Sequence, residues 1–248
     1  AISTYQSCPM KYQFQYLWNI RGGPHAQATF GRVMHTTIQE FVRALRERRS
    51  ASLEDLLAIY DREWSSAGFS DDYDEDEYRK TGREQLEAFY FTYTASPPEV
   101  AHQEKKFELP LENGIVVAGR IDQVNRIGKK EFEIVDYKTG KPKEAKKSAD
   151  DIQLSIYALA AREVLEIEPT RLVFYNLMTN EAVATTRDAK ALAATRQKIN
   201  EVADLIRAKQ FAPNPNYGCA SCDYKPLCPA HERLISIRPS AGMDRTPL

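Results

Sequence analysis

From Cys8 to Cys219 the chain contains no cysteine, because all four of its cysteines sit near the two ends. A disulfide framework running through the fold is thereby excluded, and a chain of 248 residues buries enough apolar surface to fold without one. Long hydrophobic runs are missing as well: no stretch approaches the roughly 20 apolar residues of a membrane-spanning helix, and the mean hydropathy is -0.53. A charge excess is the third absence. Lys+Arg 34 stand against Asp+Glu 35, a net charge of -1. No global field draws a polyanion, so nucleic acid would have to be held by a local basic lining. The first residues lack an initiator Met, a basic segment and an apolar segment. The expectation is the cut end of a longer protein, or the scar of a removed tag, with no secretory signal and a cytoplasmic, nucleoid-associated setting.

What is present begins with the cysteines themselves. Cys219, Cys222 and Cys228 form a C-x2-C-x5-C run between Tyr217 and Pro229, where Gly218, Pro226 and Pro229 provide tight turns. In a reducing compartment this spacing reads as metal or cluster ligation. Four thiolates suit tetrahedral zinc or an iron–sulfur cluster equally, and spacing alone does not separate the two. Cys8 is the one distant candidate for the fourth position, so such a site would pin the beginning of the chain to its end.

Residues 3–18 read as helix broken at Pro9 and rich in aromatics, followed by a Gly22-Gly23-Pro24 turn. From Phe30 to Arg48 the apolar residues recur at helical spacing, and His35 shares the face of Ile38, Phe41, Val42 and Leu45. Ser52 with Asp55 marks the start of another helix. A further helix is expected from about Glu77 to Thr94, with the acidic run 71–77 as a solvated loop leading into it. After Pro98 the period changes to two. Lys105–Leu111, Ile115–Ile127 and Glu131–Lys138 read as an antiparallel meander with turns at 112–114 and 127–130. A helix over 150–165, strands at 171–178 and 182–186 and a long helix over 188–209 complete the pattern. One domain spanning 1–231 is expected, with a catalytic core at about 100–210 and a loosely ordered tail over 232–248.

The chemistry concentrates on one strand. Asp136 and Lys138 fall on one face of it by the two-residue period, with Val135 and Tyr137 on the other. A short hairpin brings Asp122 alongside Asp136, and two carboxylates that close repel unless a cation lies between them. Hard oxygen ligands of this kind suit Mg²⁺ or Mn²⁺, and Lys138 beside them is placed to orient a water or to stabilise charge on a phosphate. A salt-bridged surface strand pair is the competing reading of Asp136 and Lys138 alone. Gln153 and Tyr157, four apart, share a helix face and offer hydrogen bonds.

Gly31-x3-His35, Gly119-x2-Asp122, Val135-Asp136-Tyr137-Lys138-Thr139-Gly140 and Gln153-x3-Tyr157 together resemble the RecB-like branch of the PD-(D/E)XK nucleases. The Cys8-Pro9 start and the C-x2-C-x5-C end resemble its iron–sulfur subset, which includes AddB-type helicase–nuclease modules and CRISPR-adaptation exonucleases. The resemblance runs from Ser3 to Cys228. It implies an α/β fold with a restriction-endonuclease-like core: a mixed central sheet flanked by helices, an N-terminal helical elaboration, and a clasp formed by 1–20 and 213–229 around a [4Fe–4S] cluster held by Cys8, Cys219, Cys222 and Cys228, with zinc as the alternative. It further implies that His35, Asp122, Asp136 and the Tyr137 backbone carbonyl hold Mg²⁺ or Mn²⁺. Lys138 would be the catalytic lysine, and Gln153 and Tyr157 would support the active site. Asp136 stands where many members carry Glu, and its shorter reach bears on where the metal sits. Glu104, at the head of the first strand, is a candidate accessory group.

The implied function is a metal-dependent DNA nuclease, an exonuclease acting on single-stranded DNA or DNA ends, as the nuclease module of a helicase–nuclease in recombination and repair. A free-standing CRISPR-adaptation-type exonuclease and a catalytically silent DNA-binding or scaffolding module are the alternatives. The lysines at 141, 143, 146 and 147, close in sequence to the metal residues, are expected to line the DNA groove.

Overall fold

The computed structural model describes residues 1–47, 49, 51–142, 148 and 150–231, so the expected tail over 232–248 and Lys143, Lys146 and Lys147 lie outside the described residues. The chain divides into two compact units. One comprises 24–200; the other joins 1–23 to the residues from 201 onward.

The larger unit is built on a five-stranded sheet: β1 (Glu99–Pro110), β2 (Val116–Arg126), β3 (Phe132–Lys138), β4 (Pro169–Asn176) and β5 (Glu181–Thr185), in that spatial order. β1, β2 and β3 form the antiparallel meander, and β5 returns antiparallel on β4. β3 and β4 are parallel, joined by a crossover that contains the helix Ile152–Glu163. The sheet is therefore mixed, as expected. Its first turn uses Asn113 and Gly114 at φ 58° and 70°, the left-handed region that Asn and Gly reach most readily.

Before the sheet come α3 (Ala26–Arg46), α4 (Leu53–Glu63) and α5 (Asp72–Ala95), preceded in the smaller unit by α1 (Ile2–Ser7) and α2 (Pro9–Tyr12). After β3 come α6 (Ile152–Glu163) and, beyond β5, α7 (Ala189–Arg207). The Ser52–Asp55 capping box forms in both directions. The acidic run departs from expectation. Asp71 accepts the Asp74 N–H at 2.8 Å as N-cap, and residues from Asp72 onward are helical. Carboxylates in a first turn meet the positive end of the helix dipole, so the run starts the helix instead of preceding it.

Two apolar clusters lie on the two faces of the sheet. Ile134, Leu172 and Phe174 pack with Leu154, Ala158 and Leu159 of α6. Val135, Tyr137 and Val173 pack with Met34, Ile38 and Phe41 of α3 and with Phe89 of α5. The alternation of β3 is thus the predicted one, with Asp136 and Lys138 on the α6 side. Gly119 is forced by packing: a Cβ there would sit 2.4 Å from the Phe107 ring. No described helix is long and apolar enough to cross a membrane.

Candidate metal and catalytic centre

Regular strands put residues three apart on opposite faces. Ile121 and Val124 of β2 nevertheless belong to the same cluster. The alternation of β2 therefore inverts between them, at Asp122. β1 inverts too: Phe107 packs on the α6 side, whereas Gln103 donates its amide to the Gln39 carbonyl of α3 at 2.8 Å. Glu104 sits opposite Asp122, between the paired residues Gln103↔Gln123 and Lys105↔Ile121. On the other side of β2 the ladder to β3 stops at Gln123↔Val135, one position short of Asp122 and Asp136. The Tyr137 N–H, beyond the end of that ladder, donates instead to Asp122 Oδ2 at 3.0 Å.

At this irregularity the site assembles from four elements. His35 Nδ1 of α3 lies 3.4 Å from Asp122 Oδ2, and ligand atoms of His35, Glu104 and Asp122 all fall within 4.8 Å of one another. The His35 ring also interacts with the Tyr137 backbone, which places that peptide beside the group. Asp136 is 1% exposed. Its Oδ2 lies 2.6 Å from Lys138 Nζ, and the Tyr157 hydroxyl interacts with the same carboxylate. Asp136 lies outside the 4.8 Å group formed by His35, Glu104 and Asp122 but within electrostatic reach of His35 and Asp122, and an imidazole with carboxylates gathered in this way is a donor set that fits a hard divalent cation.

The electrostatics agree. Burial, then the Asp136 charge, pushes Asp122 up to about 8. Burial raises Asp136 as well, opposed by Lys138. Burial lowers His35, opposed by the Asp136 charge. Burial is the leading cause of each shift, and carboxylate charge held out of water is a condition that a bound cation relieves.

Lys138 is held from its other side. Gln153 Oε1 accepts from Lys138 Nζ at 3.0 Å, and the Gln153 amide donates to Tyr157 Oη at 2.7 Å. Both amide atoms of Gln153 are thereby engaged, with the lysine on one side and with Tyr157, which also interacts with Asp136, on the other. Asp151 caps α6 by accepting the N–H groups of Gln153 and Leu154 at 2.8 and 3.3 Å. One contributor to this arrangement was not anticipated: Arg187. It is 7% exposed and donates to Ser155 Oγ, Thr185 Oγ1 and the carbonyls of Ser148, Asp151 and Thr186. A lone Arg just after a short strand carries no motif that marks it.

A family model described as the PD-(D/E)XK nuclease superfamily covers residues 1–229. The chain belongs to this superfamily. Its nucleases use divalent metal ions, and the His35, Glu104 and Asp122 group could hold one. Similar curated proteins are the Gene 69 protein of Mycobacterium phage L5, 25% identical across 92% of this chain and 94% of that protein, and the Gene 69 protein of Mycobacterium phage D29, 31% identical across 60% and 58%. The crystal structure of SSO0001 aligns over 80% of this chain and 85% of its own at 17% identity, with a TM-score of 0.40.

The cysteines belong to the smaller unit. Cys8 is an extended residue (φ -158°, ψ 110°) between α1 and α2, with Pro9 opening α2. Cys219 ends a short 3-10 turn and Cys228 follows another. Cys8, Cys219, Cys222 and Cys228 line one cavity together with Phe14 and Tyr224. The Asn214 and Asn216 N–H groups point at Cys8 Sγ and Cys219 Sγ, at 3.5 and 3.3 Å. Both Asn side chains donate to the Ser7 carbonyl at 3.0 Å, tying the first helix to the C-terminal segment. Four thiols around one cavity, two of them facing backbone donors, fit a thiolate-bound metal or cluster.

Proposed function

We propose that this protein is a Mg²⁺- or Mn²⁺-dependent deoxyribonuclease that degrades single-stranded DNA or DNA ends by direct attack of water. The observation that carries the reading is the meeting of Asp122, Asp136, His35 and Lys138 where β2 and β3 part. His35, Asp122, Asp136 and the Tyr137 carbonyl would hold the ion. When bound, it supplies positive charge against the phosphate and makes a water more acidic.

The remaining work falls to side chains. The Lys138 ammonium, kept in place by Gln153 and Asp136, faces the developing negative charge and orients the attacking water. The water oxygen forms a new bond to phosphorus as the bond to the leaving sugar oxygen breaks, so no covalent enzyme intermediate is needed. Tyr157 limits the motion of Gln153. Lys141, close in sequence to the β3 end, would meet the DNA backbone, with Lys143, Lys146 and Lys147 as its sequence neighbours.

The four cysteines would bind a [4Fe–4S] cluster that holds the smaller unit together, without a redox role, since phosphodiester hydrolysis moves no electrons. The biological setting would be end processing in recombination or repair, fed by a helicase in the same chain or as a partner. A silent DNA-binding module is disfavoured because His35, Asp122, Asp136, Lys138, Gln153 and Tyr157 are all present in the sequence.

End-labelled single- and double-stranded DNA incubated with Mg²⁺ or Mn²⁺ tests the reading. Cleavage stopped by chelator and by Asp136→Ala is expected; an Asp136→Ala protein that cuts as well as wild type refutes the assignment. Brown protein containing iron and sulfide, turned colourless by Cys8→Ser, is expected for the cluster. A zinc-loaded, colourless and equally active protein purified without oxygen refutes it.

A further inference from the structure

Lys138 and Asn176 are the last residues of β3 and β4, the parallel pair of the sheet, and lie opposite one another in the ladder. Open α/β sheets bind ligands in crevices outside the carboxyl ends of such strands. One is present here. A cavity of about 180 Å³, several times the roughly 30 Å³ share of one water, opens beside Lys138 and is lined from β3, β4, β5 and the segments that follow β3 and β4.

The chemistry of its walls selects the occupant. Phe174 and Val183, paired across β4 and β5, give it an apolar side to which Pro142 adds. Asn176, 4% exposed, builds the rim: its amide donates to the Gly140 carbonyl at 2.7 Å, and its Oδ1 accepts the Thr179 N–H at 3.0 Å. One buried side chain thus ties together both turns that border the cavity, which is formed before anything enters it. Glu181, paired with Asn176, adds an exposed carboxylate. Apolar walls and a negative charge reject a phosphate, but they suit a flat ring with N–H donors on its edge. The cations stand close by. Lys138 Nζ is 5.1 Å from the centre of the Phe174 ring, and Lys141 also lines the cavity, so the phosphates joined to such a ring find opposite charge beside it.

We propose that this cavity receives one nucleobase of the DNA strand next to the bond being cut, and that Glu181 reads the edge of that base. The inference rests on the nuclease reading and gives the same site a base preference. An ionised carboxylate only accepts hydrogen bonds. It pairs with the amino group of cytosine, as acidic side chains do in base readout, and is repelled by the O4 acceptor of thymine. The two pyrimidines are close in size, so comparing them isolates the edge.

The test sets end-labelled oligo(dC) against oligo(dT) with the whole chain at neutral pH, in two arms: equilibrium binding in chelator and single-turnover cleavage with Mn²⁺. Wild type should bind oligo(dC) about tenfold more tightly, toward the lower end of what one base-edge contact supplies, and should cut it faster. Glu181→Gln alters an exposed residue of the edge strand and should melt as wild type does. Its amide offers a donor as well as an acceptor, so the preference should shrink to about twofold or less. An oligonucleotide of abasic units should bind more weakly than oligo(dC). Equal wild-type affinity for oligo(dC) and oligo(dT) overturns the inference, as does a preference that survives in Glu181→Gln. Abasic DNA bound as tightly as oligo(dC) overturns it too, since sugar and phosphate would then account for the contact. A protein that shows the preference in chelator, loses it in Glu181→Gln and cuts neither strand with Mn²⁺ upholds the base cavity and overturns the nuclease reading alone.

Discussion

Lys138 Nζ is shared between Gln153 Oε1 at 3.0 Å and Asp136 Oδ2 at 2.6 Å. The ammonium therefore bridges the helix amide and the buried carboxylate of its own strand. Lys138→Ala should lower single-turnover cleavage by at least about 10²–10³-fold, the usual cost of removing one group that meets transition-state charge. Gln153→Ala should cost less, about tenfold, because the lysine remains but loses one support. DNA affinity measured without metal should be unchanged in Gln153→Ala; a parallel loss would mean that Gln153 touches DNA directly.

The buried Asp122 and Asp136 give the metal-free protein a pH dependence of defined sign. Asp122 is pushed up to about 8 by burial and then by Asp136, whereas an unfolded Asp titrates near 4. A carboxyl raised in this way binds its proton more tightly in the folded state. Its contribution is complete below the unfolded value and is lost as pH rises toward about 8. Melting in chelator should therefore show stability falling between pH 5 and pH 8, and Asp122→Asn should flatten that slope. Mn²⁺ should raise the melting temperature most at the alkaline end, where both carboxylates are ionised. An equally steep slope in Asp122→Asn would assign the dependence to other groups.

Gly119 owes its place to the Phe107 ring, 2.4 Å from where a Cβ would sit. Phe107 in turn packs edge-on against Tyr157, with ring centres 6.1 Å apart. Gly119→Ala should destabilise the fold by about 1–3 kcal/mol, as overpacking of a filled core does. Denaturant melts measure this, and a change below about 0.5 kcal/mol would show that the ring relaxes freely.

Arg187 satisfies three backbone carbonyls and two hydroxyls from a buried position. Arg187→Ala strands several acceptors at once and should cost on the order of 3 kcal/mol. Since Asp151, whose carbonyl it binds, also caps the helix bearing Gln153 and Tyr157, cleavage should fall with stability while Mn²⁺ affinity holds. Loss of Mn²⁺ binding in a folded Arg187→Ala protein would contradict this division of labour.

Much of the architecture was legible from local rules. The two-residue period set Asp136 and Lys138 on one face of β3. Asn113 and Gly114 announced their turn, and Ser52 with Asp55 announced a helix, because each depends on neighbours a few residues apart. The acidic run from Asp71 was misplaced because its charge argued for solvent, while its fit to a helix N-terminus needed the cap made by Asp71.

The centre itself was decided by tertiary structure. Sequence order named His35, Asp122, Asp136 and Lys138, but their approach depends on β1 and β2 inverting at Glu104 and Asp122, and regular alternation predicts no such inversion. Strand periodicity is a property of one segment. The parting of β2 from β3 and the reach of Arg187 each arise from packing between segments far apart in the chain, and only the folded protein brings those together.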